Sequence, residues 1–472
     1  MRISSNQMAQ QSLFSMLDQQ AKLSKTQLQL SAMRRILTPA DDPTGSSRAL
    51  ELDKSIQQFA QYKSNAEQSK LRLSLSDATL GEVDAILVRV RELTIQAKNA
   101  PQDATNRRAI AAEVQERLAQ LVQLANTQDG SGEYLFAGSN TRSQPFVHDG
   151  GAVAYTGDQV QRQVQVGPTR QLAVDHSGFE VFMKIPNGTG RLSYSADPAN
   201  TGTGIIGVSL RDPAAYADEA HRIDFVANAD GRAGYVITNT VTGAMVQPAP
   251  PQVTAGSDIS FDGVTVPYDP AWAAGDSVGL DVDGDGVDDH RLDFVTDASG
   301  ALAYTVTNTA DNALVVPAPG ELVEGESINF NGVSVTFTGQ PRPGDSFTVE
   351  PSRPQSVFES IQRILTALQS SGDTPEGSAA FNNIANRALD DLTQASDSIN
   401  RIRGEIGGRI NALESELDMN ASAVLELKTS LSQVEDLDYT EAVSRLNMQM
   451  LGLKAAQQVY VKVQGLTLFN FL

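Results

Sequence analysis

The part of this sequence best suited to hold an ion is a short run of alternating carboxylates. Gly286 follows the third acidic residue of the run, whose members are Asp281, Asp283, Asp285, Asp288 and Asp289. Alternating oxygens let a loop fold around a hard cation, and a glycine at the sixth place permits the sharp turn of calcium loops. The twelfth place, however, is Leu292 and not a bidentate glutamate. Calcium is thus the one cofactor that the sequence suggests, and an acidic turn between two strands is the alternative.

Side chains that could catalyse a reaction are scarce. The four histidines are His148, His176, His221 and His290, and the last two occupy equivalent positions in an internal repeat. Equivalent repeat positions indicate packing or hydrogen bonding. No Ser/His/Asp set, glycine-rich phosphate loop or His-x-x-x-His pair accompanies these histidines. We therefore predict a protein without catalytic residues, and an enzyme is the least favoured class.

Composition narrows the possible partners. The chain has 472 residues, no cysteine and a formal net charge of −21. Residues 197–350 contain 23 acidic residues against five arginines and no lysine. A phosphate backbone requires a basic surface, so no nucleic-acid partner is expected. No stretch approaches the roughly 18 apolar residues of a membrane span, and residues 1–30 lack the apolar core of a signal peptide. We expect neither membrane insertion nor classical secretion.

Both ends of the chain have helical periodicity. Apolar residues at 3 and 4 spacing form one stripe with Val83, Ile86, Val90 and Leu93, and a second stripe follows over 110–125. Near the C-terminus the spacing runs over about eight turns from Ala388 to Leu417. A last stripe contains Leu446, Met450, Leu453 and Tyr460. Such sustained registers favour a coiled coil or a long-helix bundle over an ordinary buried helix.

The middle of the chain is predicted to be β-rich and contains a duplication. His221 to Val226 returns as His290 to Val295, and the match continues through Gly275 and Gly344 at a constant offset of 69 residues. In the first copy, the residues corresponding to Asp281, Asp283 and Asp285 are Asp212, Ala214 and Tyr216. Only the second copy could therefore hold the suggested calcium ion.

The predicted fold class is α+β, with a discontinuous helical domain built from both termini. The expected segments are an N-terminal helical half at 1–141, the first part of the β-rich insert at 142–210, repeat copies at 211–279 and 280–352, and a C-terminal helical half at 353–472. The two termini should lie side by side.

Three segments resemble the flagellin superfamily. Residues 34–45, which contain Arg35, Asp41, Asp42 and Pro43, are similar to the characteristic loop of flagellins and hook-associated proteins. Residues 89–97 look like the flagellin core helix, and residues 406–414 match on the C-terminal side. Residues 133–139 and 343–347 resemble the hook-filament junction branch. The resemblance covers roughly residues 1–150 and 345–472.

This resemblance implies a structural axial protein of the bacterial flagellum, located outside the cell and exported without a cleaved signal. Its implied partners are neighbouring hook-associated protein and flagellin, further copies of itself in a ring, and an export chaperone. The terminal helices would mediate assembly and the β modules would project outward. The residues expected to mediate assembly are those of the two stripes named above: Val83, Ile86, Val90, Leu93, Leu446, Met450, Leu453 and Tyr460. Two alternatives stay open: a flagellin filament subunit, and a secreted adhesin with a helical stalk.

Two further hypotheses concern the helices. The first is that the chain ends are disordered in the exported monomer and pair when they assemble, because residues 7–29 carry too little apolar surface for a lone helix. The second follows from the resemblance: Arg89, Leu93 and Glu113 match the flagellin surface that an animal innate-immune receptor recognises. For these three residues, contacts within the flagellar lattice are the favoured alternative.

Overall fold

The structure is a computed structural model. It describes residues 5–99, 104–149, 152–216, 218–227, 233–248, 252, 259–261, 264–266, 277–280, 290–296, 302–308, 314–316, 320–321 and 327–469. The proposed calcium residues Asp281, Asp283, Asp285, Asp288 and Asp289 lie outside these ranges.

Six α-helices are described. They are α1 (Ser5–Ala32), α2 (Pro43–Lys98), α3 (Ala104–Ala125), α4 (Val357–Ser370), α5 (Pro375–Glu435) and α6 (Tyr439–Phe469). Helix α4 was not predicted from the sequence. Its start is set by Ser356, whose side chain accepts a hydrogen bond from the Phe358 amide as an N-cap. The helical stripes at both chain ends are therefore confirmed, and the fold class is α+β as predicted.

The strands lie between α3 and α4. The first seven are β1 (Phe146–Asp149), β2 (Ala152–Tyr155), β3 (Gln163–Gln165), β4 (Gln171–Ala173), β5 (Ile185–Pro186), β6 (Leu192–Ala196) and β7 (Ile205–Leu210). The next six are β8 (His221–Ala227), β9 (Ala233–Asn239), β10 (Met245–Gln247), β11 (Ile259–Phe261), β12 (Val264–Val266) and β13 (Ser277–Leu280). The last eight are β14 (His290–Thr296), β15 (Leu302–Asn308), β16 (Leu314–Val316), β17 (Gly320–Glu321), β18 (Ser327–Phe330), β19 (Val333–Thr338), β20 (Ser346–Pro351) and β21 (Pro354–Gln355).

The chain divides into two compact units. The first contains residues 1–70, 163–172 and 410–472, and the second contains residues 71–162 and 173–409. The first unit therefore includes α1, α6 and one end each of α2 and α5. Its composition confirms the expectation that a helical domain is built from both termini.

In the second unit, α2 and α3 run antiparallel. Arg89 pairs with Glu113 at 2.9 Å, and Arg72 pairs with Asp129 farther from the turn between the two helices. The stripe residues Val83, Ile86, Val90 and Leu93 are all buried. The second stripe, over 110–125, is buried as well. Both stripes therefore form the core of the subunit itself.

The two repeat copies exchange strands. One sheet has the order β10-β9-β8-β20-β6, so strands of the first copy pair with β20 of the second. Another has the order β13-β14-β15-β16, in which the last strand of the first copy pairs with the first strand of the second. The offset of 69 residues makes β13 and β20 equivalent. Each copy therefore completes a sheet of the other, and the copy boundaries at 211–279 and 280–352 do not coincide with the sheets.

The segment between β10 and β17 is an insertion at one edge of this sheet, because both strands pair with β9. Gln247 at the end of β10 pairs with Ile237, and Gly320 at the start of β17 pairs with Tyr235 on the same strand, β9. The chain thus leaves this edge and returns to it two register positions away. The hydrophobic core of this β domain uses residues of 192–237 and 328–349, and none of the described residues from 251–319.

Candidate assembly site

Helices α1 and α6 pack against each other along their length in the first unit. The main chain of Met33 contacts Leu437, and Gln19 lies beside Gly452, so the pair is antiparallel. A Cβ atom added at Gly452 would lie 3.1 Å from the Gln19 side-chain oxygen. The glycine therefore permits a close approach of the two helices at this point.

The contact between the two helices, called the seam below, repeats with the 3 and 4 spacing of a coiled coil. Its α1 side is made of Ser12, Met16, Gln19, Leu23, Thr26 and Leu30. Its α6 side is made of Ala442, Leu446, Gln449, Leu453, Ala456 and Tyr460. The predicted partners Leu446, Leu453 and Tyr460 are therefore in the seam. Several of the other seam positions are polar, which is unusual for a helix pair.

Met450 is a correction to the sequence prediction. The expected stripe ran through Met450, but this side chain is 37% exposed, and Gln449 takes the seam position. Between Leu446 and Leu453, a heptad can place its middle inward residue at Met450, with spacing 4 then 3, or at Gln449, with spacing 3 then 4. Polarity favours the apolar Met450 at the inward position, whereas the rotation of α6 places the Gln449 amide there. The 3 and 4 spacing, taken without regard to polarity, is the signal that would have found Gln19 and Gln449.

Large apolar side chains are exposed on the outward faces of the same two helices. On α1, Phe14 and Leu28 are 70% and 58% exposed, with Leu17 on the same face. On α6, Leu451 is 70% exposed, and Met448 and Val459 share its face. The pair therefore carries apolar residues on its outward faces as well as in the seam, whereas a self-sufficient helix pair confines its apolar stripe to the buried side. These outward residues are called the outer face below.

The loop between α1 and α2 joins the loop between α5 and α6. The Arg35 amide donates to the Glu435 carbonyl at 2.7 Å, and the Arg35 guanidinium donates to the Val434 carbonyl at 2.8 Å. Arg34 forms an antiparallel bridge with Asp436. Through these contacts, the resemblance segment 34–45 fixes the register of the α1–α6 pair.

The two aspartates of this loop have different roles. Asp42 accepts from the Gly45 amide at 2.9 Å and caps α2, with Pro43 at the first helical position. Asp41 instead closes its own turn by accepting from the amides of Leu37 and Thr38. The hydrogen bond from Lys25, at 2.6 Å, lowers the pKa of the Asp41 carboxyl to about 2. Of the two aspartates, therefore, Asp42 caps α2 and Asp41 stabilises the turn that precedes it.

Four residues predicted for assembly do not face outward. Val83, Ile86, Val90 and Leu93 are at most 8% exposed, so they cannot meet a neighbouring subunit while α2 is folded. Apolar stripes occur in cores and in interfaces alike, and the structure assigns these four residues to the core. In the same stretch of α2, Val88 and Ile95 are apolar residues that are exposed.

Of the three residues suggested for receptor recognition, two are on the surface and one is buried. Arg89 and Glu113 form an ion pair on the surface, and hydrogen bonding between them raises the pKa of Arg89 and lowers that of Glu113. Leu93, by contrast, is buried. Two residues four positions apart share a helix face, but here only the first one reaches solvent. A receptor could contact Arg89 and Glu113 on this folded subunit, but not Leu93.

Comparison with known proteins agrees with this geometry. Residues 3–141 match the bacterial flagellin N-terminal helical region, and residues 290–351 match the D2-like domain of flagellar hook-associated protein 1. The chain is 31% identical to flagellar hook-associated protein 3 of Escherichia coli over 185 residues. That match covers 39% of this chain and 58% of the E. coli protein, so it spans less than two thirds of that relative.

Solved structures extend the likeness over most of the chain. The flagellar junction protein FlgL of Legionella pneumophila is 25% identical with a TM-score of 0.61, covering 83% of this chain and all of that one. FlgL of Xanthomonas campestris is 27% identical with a TM-score of 0.59, covering 81% of this chain and 99% of that one. In its helical ends, its α1–α2 loop and these matches, the chain is similar to proteins of the flagellin superfamily. Within that superfamily, it is similar over most of its length to the hook-filament junction proteins.

Proposed function

We propose that this chain is a structural subunit of the junction between the flagellar hook and the filament, and that it assembles through the outer face of the α1–α6 pair. The observation that carries this proposal is the exposure of Phe14, Leu28 and Leu451 on helices whose mutual contact is partly polar. A surface of this kind is covered in a stable protein, and further axial subunits are the covering that the family likeness supplies.

The seam explains why the pair needs neighbours. The side-chain oxygens of Gln19 and Gln449 are buried and have no hydrogen-bond partner within the described part of the chain. A buried unpaired acceptor costs about 1 to 3 kcal/mol, so these two amides weaken the isolated pair. Covering one exposed leucine of the outer face contributes about 1 to 2 kcal/mol in the opposite direction. Burial of the outer face in an assembly therefore offsets the polar seam. This balance supports the hypothesis that the ends order fully only on assembly.

The wider functional proposal follows the family likeness. The partners are neighbouring hook-associated protein and flagellin, copies of this chain in a ring, and an export chaperone. The acidic β region faces outward, because its excess negative charge would repel like-charged neighbours inside a lattice. The subunit has no catalytic role and is located on the flagellum outside the cell. Among the helices that the structure describes, none has a stretch long and apolar enough to cross a membrane.

The experiment compares the outer face with a matched polar surface. A strain lacking this chain is complemented with the double variant Leu451→Asp and Val459→Asp, or with the control Gln27→Asp and Gln457→Asp, whose positions lie off the outer face. Both variants add two charges to exposed positions of the α1–α6 pair. The first should be exported but should fail to retain filaments, whereas the control should behave as wild type. Motility, filament counts by electron microscopy and the amount of exported subunit are measured.

Two outcomes separate assembly from folding. Leu453→Asp places a charge in the seam, so it should increase protease cleavage of α1 and α6 in the purified monomer. Leu451→Asp with Val459→Asp should leave that cleavage unchanged. If the outer-face variant supports normal filaments at normal export levels, the outer face is not the assembly surface and the proposal is wrong.

A further inference from the structure

Lys98, the last residue of α2, contacts a side-chain amide on α5. Its Nζ atom donates a hydrogen bond to the Oδ1 atom of Asn386, which lies 288 positions later in the sequence. Both residues belong to the second unit, on two segments that the chain reaches separately. The lysine nitrogen therefore lies beside the acyl group of a primary amide.

A carboxyl group lies one helical turn from this contact. Asp390 follows Asn386 by four positions on α5, so the two side chains share one side of the helix. The hydroxyl of Tyr194, a buried residue of β6, donates to Asp390 Oδ2 at 2.8 Å. This hydrogen bond holds the carboxyl on that side of α5 and leaves Oδ1 for other partners.

Burial sets the protonation of the two ionisable groups. Lys98 and Asp390 are both partly buried, and desolvation disfavours the charged form of each. Desolvation lowers the pKa of the Lys98 ammonium and raises the pKa of the Asp390 carboxyl. Attraction between the two charges opposes both changes but is smaller. The site therefore favours a neutral amine, which is the nucleophilic form, together with a protonated carboxyl.

We propose that Lys98 and Asn386 form an isopeptide bond, with Asp390 as the acid–base group. The neutral Lys98 Nζ attacks the side-chain carbonyl carbon of Asn386, and a new C–N bond forms. Asp390 protonates the departing amide nitrogen and accepts a proton from Nζ, directly or through one water. The original bond from the carbonyl carbon to Nδ2 breaks, and ammonia leaves. The reaction needs no oxidant, and the Asp390 carboxyl is regenerated.

The bond would join the N-terminal and C-terminal segments of the second unit. The chain has no cysteine, so a disulfide cannot make such a link. A cross-link between positions 98 and 386 restricts the unfolded chain, which opposes unfolding of the subunit. The link lies within one subunit and is independent of the outer face.

Intact-mass spectrometry of the purified full-length protein, folded and incubated at neutral pH, tests the bond. The wild type should be lighter than its sequence mass by about 17 Da, the mass of ammonia. Tryptic digestion should yield one branched peptide that contains both linked residues. Lys98→Arg and Asn386→Ala should each have the full sequence mass. Lys70→Arg is the matched control and should keep the loss, because Lys70 contacts a carboxylate of α5, that of Glu414, at 2.7 Å.

Asp390→Asn tests the role of the carboxyl. The variant keeps an oxygen for Tyr194 but lacks the acid, so bond formation should be about a hundredfold slower and unlinked protein should persist. Linkage at the wild-type rate in this variant would exclude Asp390 as the acid–base group.

The wild-type measurement needs no variant, so misfolding of a variant cannot hide the outcome. A wild type with the full sequence mass, whose peptides containing Lys98 and Asn386 are separate, would overturn the proposal. A loss of about 17 Da that persists in a folded Lys98→Arg variant would place the lost ammonia elsewhere and would overturn it equally.

Discussion

The exchange of strands between the repeat copies can be tested with single pairs of introduced cysteines, because the natural chain has none. Arg222 on β8 lies opposite Thr348 on β20, and Arg291 on β14 lies opposite Gly279 on β13. Two copies folded separately would instead pair Arg222 with Gly279, since residues 279 and 348 are equivalent in the repeat. The two arrangements thus predict different partners for the same residue.

The exchanged pair has a suitable geometry for a disulfide, and the disulfide should stabilise the folded β region. Directly opposite residues of antiparallel strands have Cα atoms about 4.5 to 5.5 Å apart, inside the range that a disulfide requires. A disulfide between positions 222 and 348 would close a loop of about 126 residues, so the loop-entropy estimate of its stabilisation is up to about 5 kcal/mol. We expect Arg222→Cys with Thr348→Cys to oxidise readily and to raise the melting temperature of the β region.

The assay is electrophoretic mobility without reductant, with mass spectrometry to identify the linked peptides. Arg222→Cys with Gly279→Cys is the matched control and should remain reduced under the same mild oxidant. Both variants change Arg222, so loss of that side chain cannot explain a difference between them. Rapid formation of the 222–279 link, with none between 222 and 348, would show that the copies fold side by side and would refute the exchange.

Three other predictions follow from the described contacts. Deleting residues 251–319 removes 12 aspartates and one arginine but no described residue of the β-domain core. The protein should therefore stay folded, elute earlier from an anion exchanger and still form junctions. Loss of filament attachment despite normal export would show that the segment makes essential contacts. The Asn383 side-chain amide donates to the buried Gly204 carbonyl and accepts from the Ile206 amide, at 2.9 Å each. Asn383→Ala should therefore lower the free energy of unfolding by about 2 to 5 kcal/mol in urea melts. An unchanged melt would contradict this. The Asp41 carboxyl should titrate near pH 2 by NMR, so its contribution to stability is present above pH 4 and is lost as the pH falls toward 2. Lys25→Met should raise the pKa of Asp41 back toward its usual value. An unchanged pKa in that variant would exclude Lys25 as the main cause.

Local sequence features determined the helices, the β-rich middle and the α1–α2 loop. Helical stripes are set by residues close together in sequence, so the long helices were predicted correctly. The 69-residue duplication and the acidic charge of the middle were likewise visible in the sequence alone. The family likeness rests on these same local segments, and the comparisons agree with it.

The tertiary structure decided which partners these elements choose. Because the two repeat copies carry equivalent strands, the pairing pattern of β8 fits β13 and β20 equally well, and only the folded arrangement selects β20. The placement of Gln449 in the seam instead of Met450 depends on the rotation of α6 against α1, which a heptad spacing leaves open by one position. His176 Nε2 lies 3.9 Å from a Glu405 oxygen, although the two residues are 229 positions apart in the sequence. No local pattern links them, so they meet only because the chain folds the segment after β4 against α5.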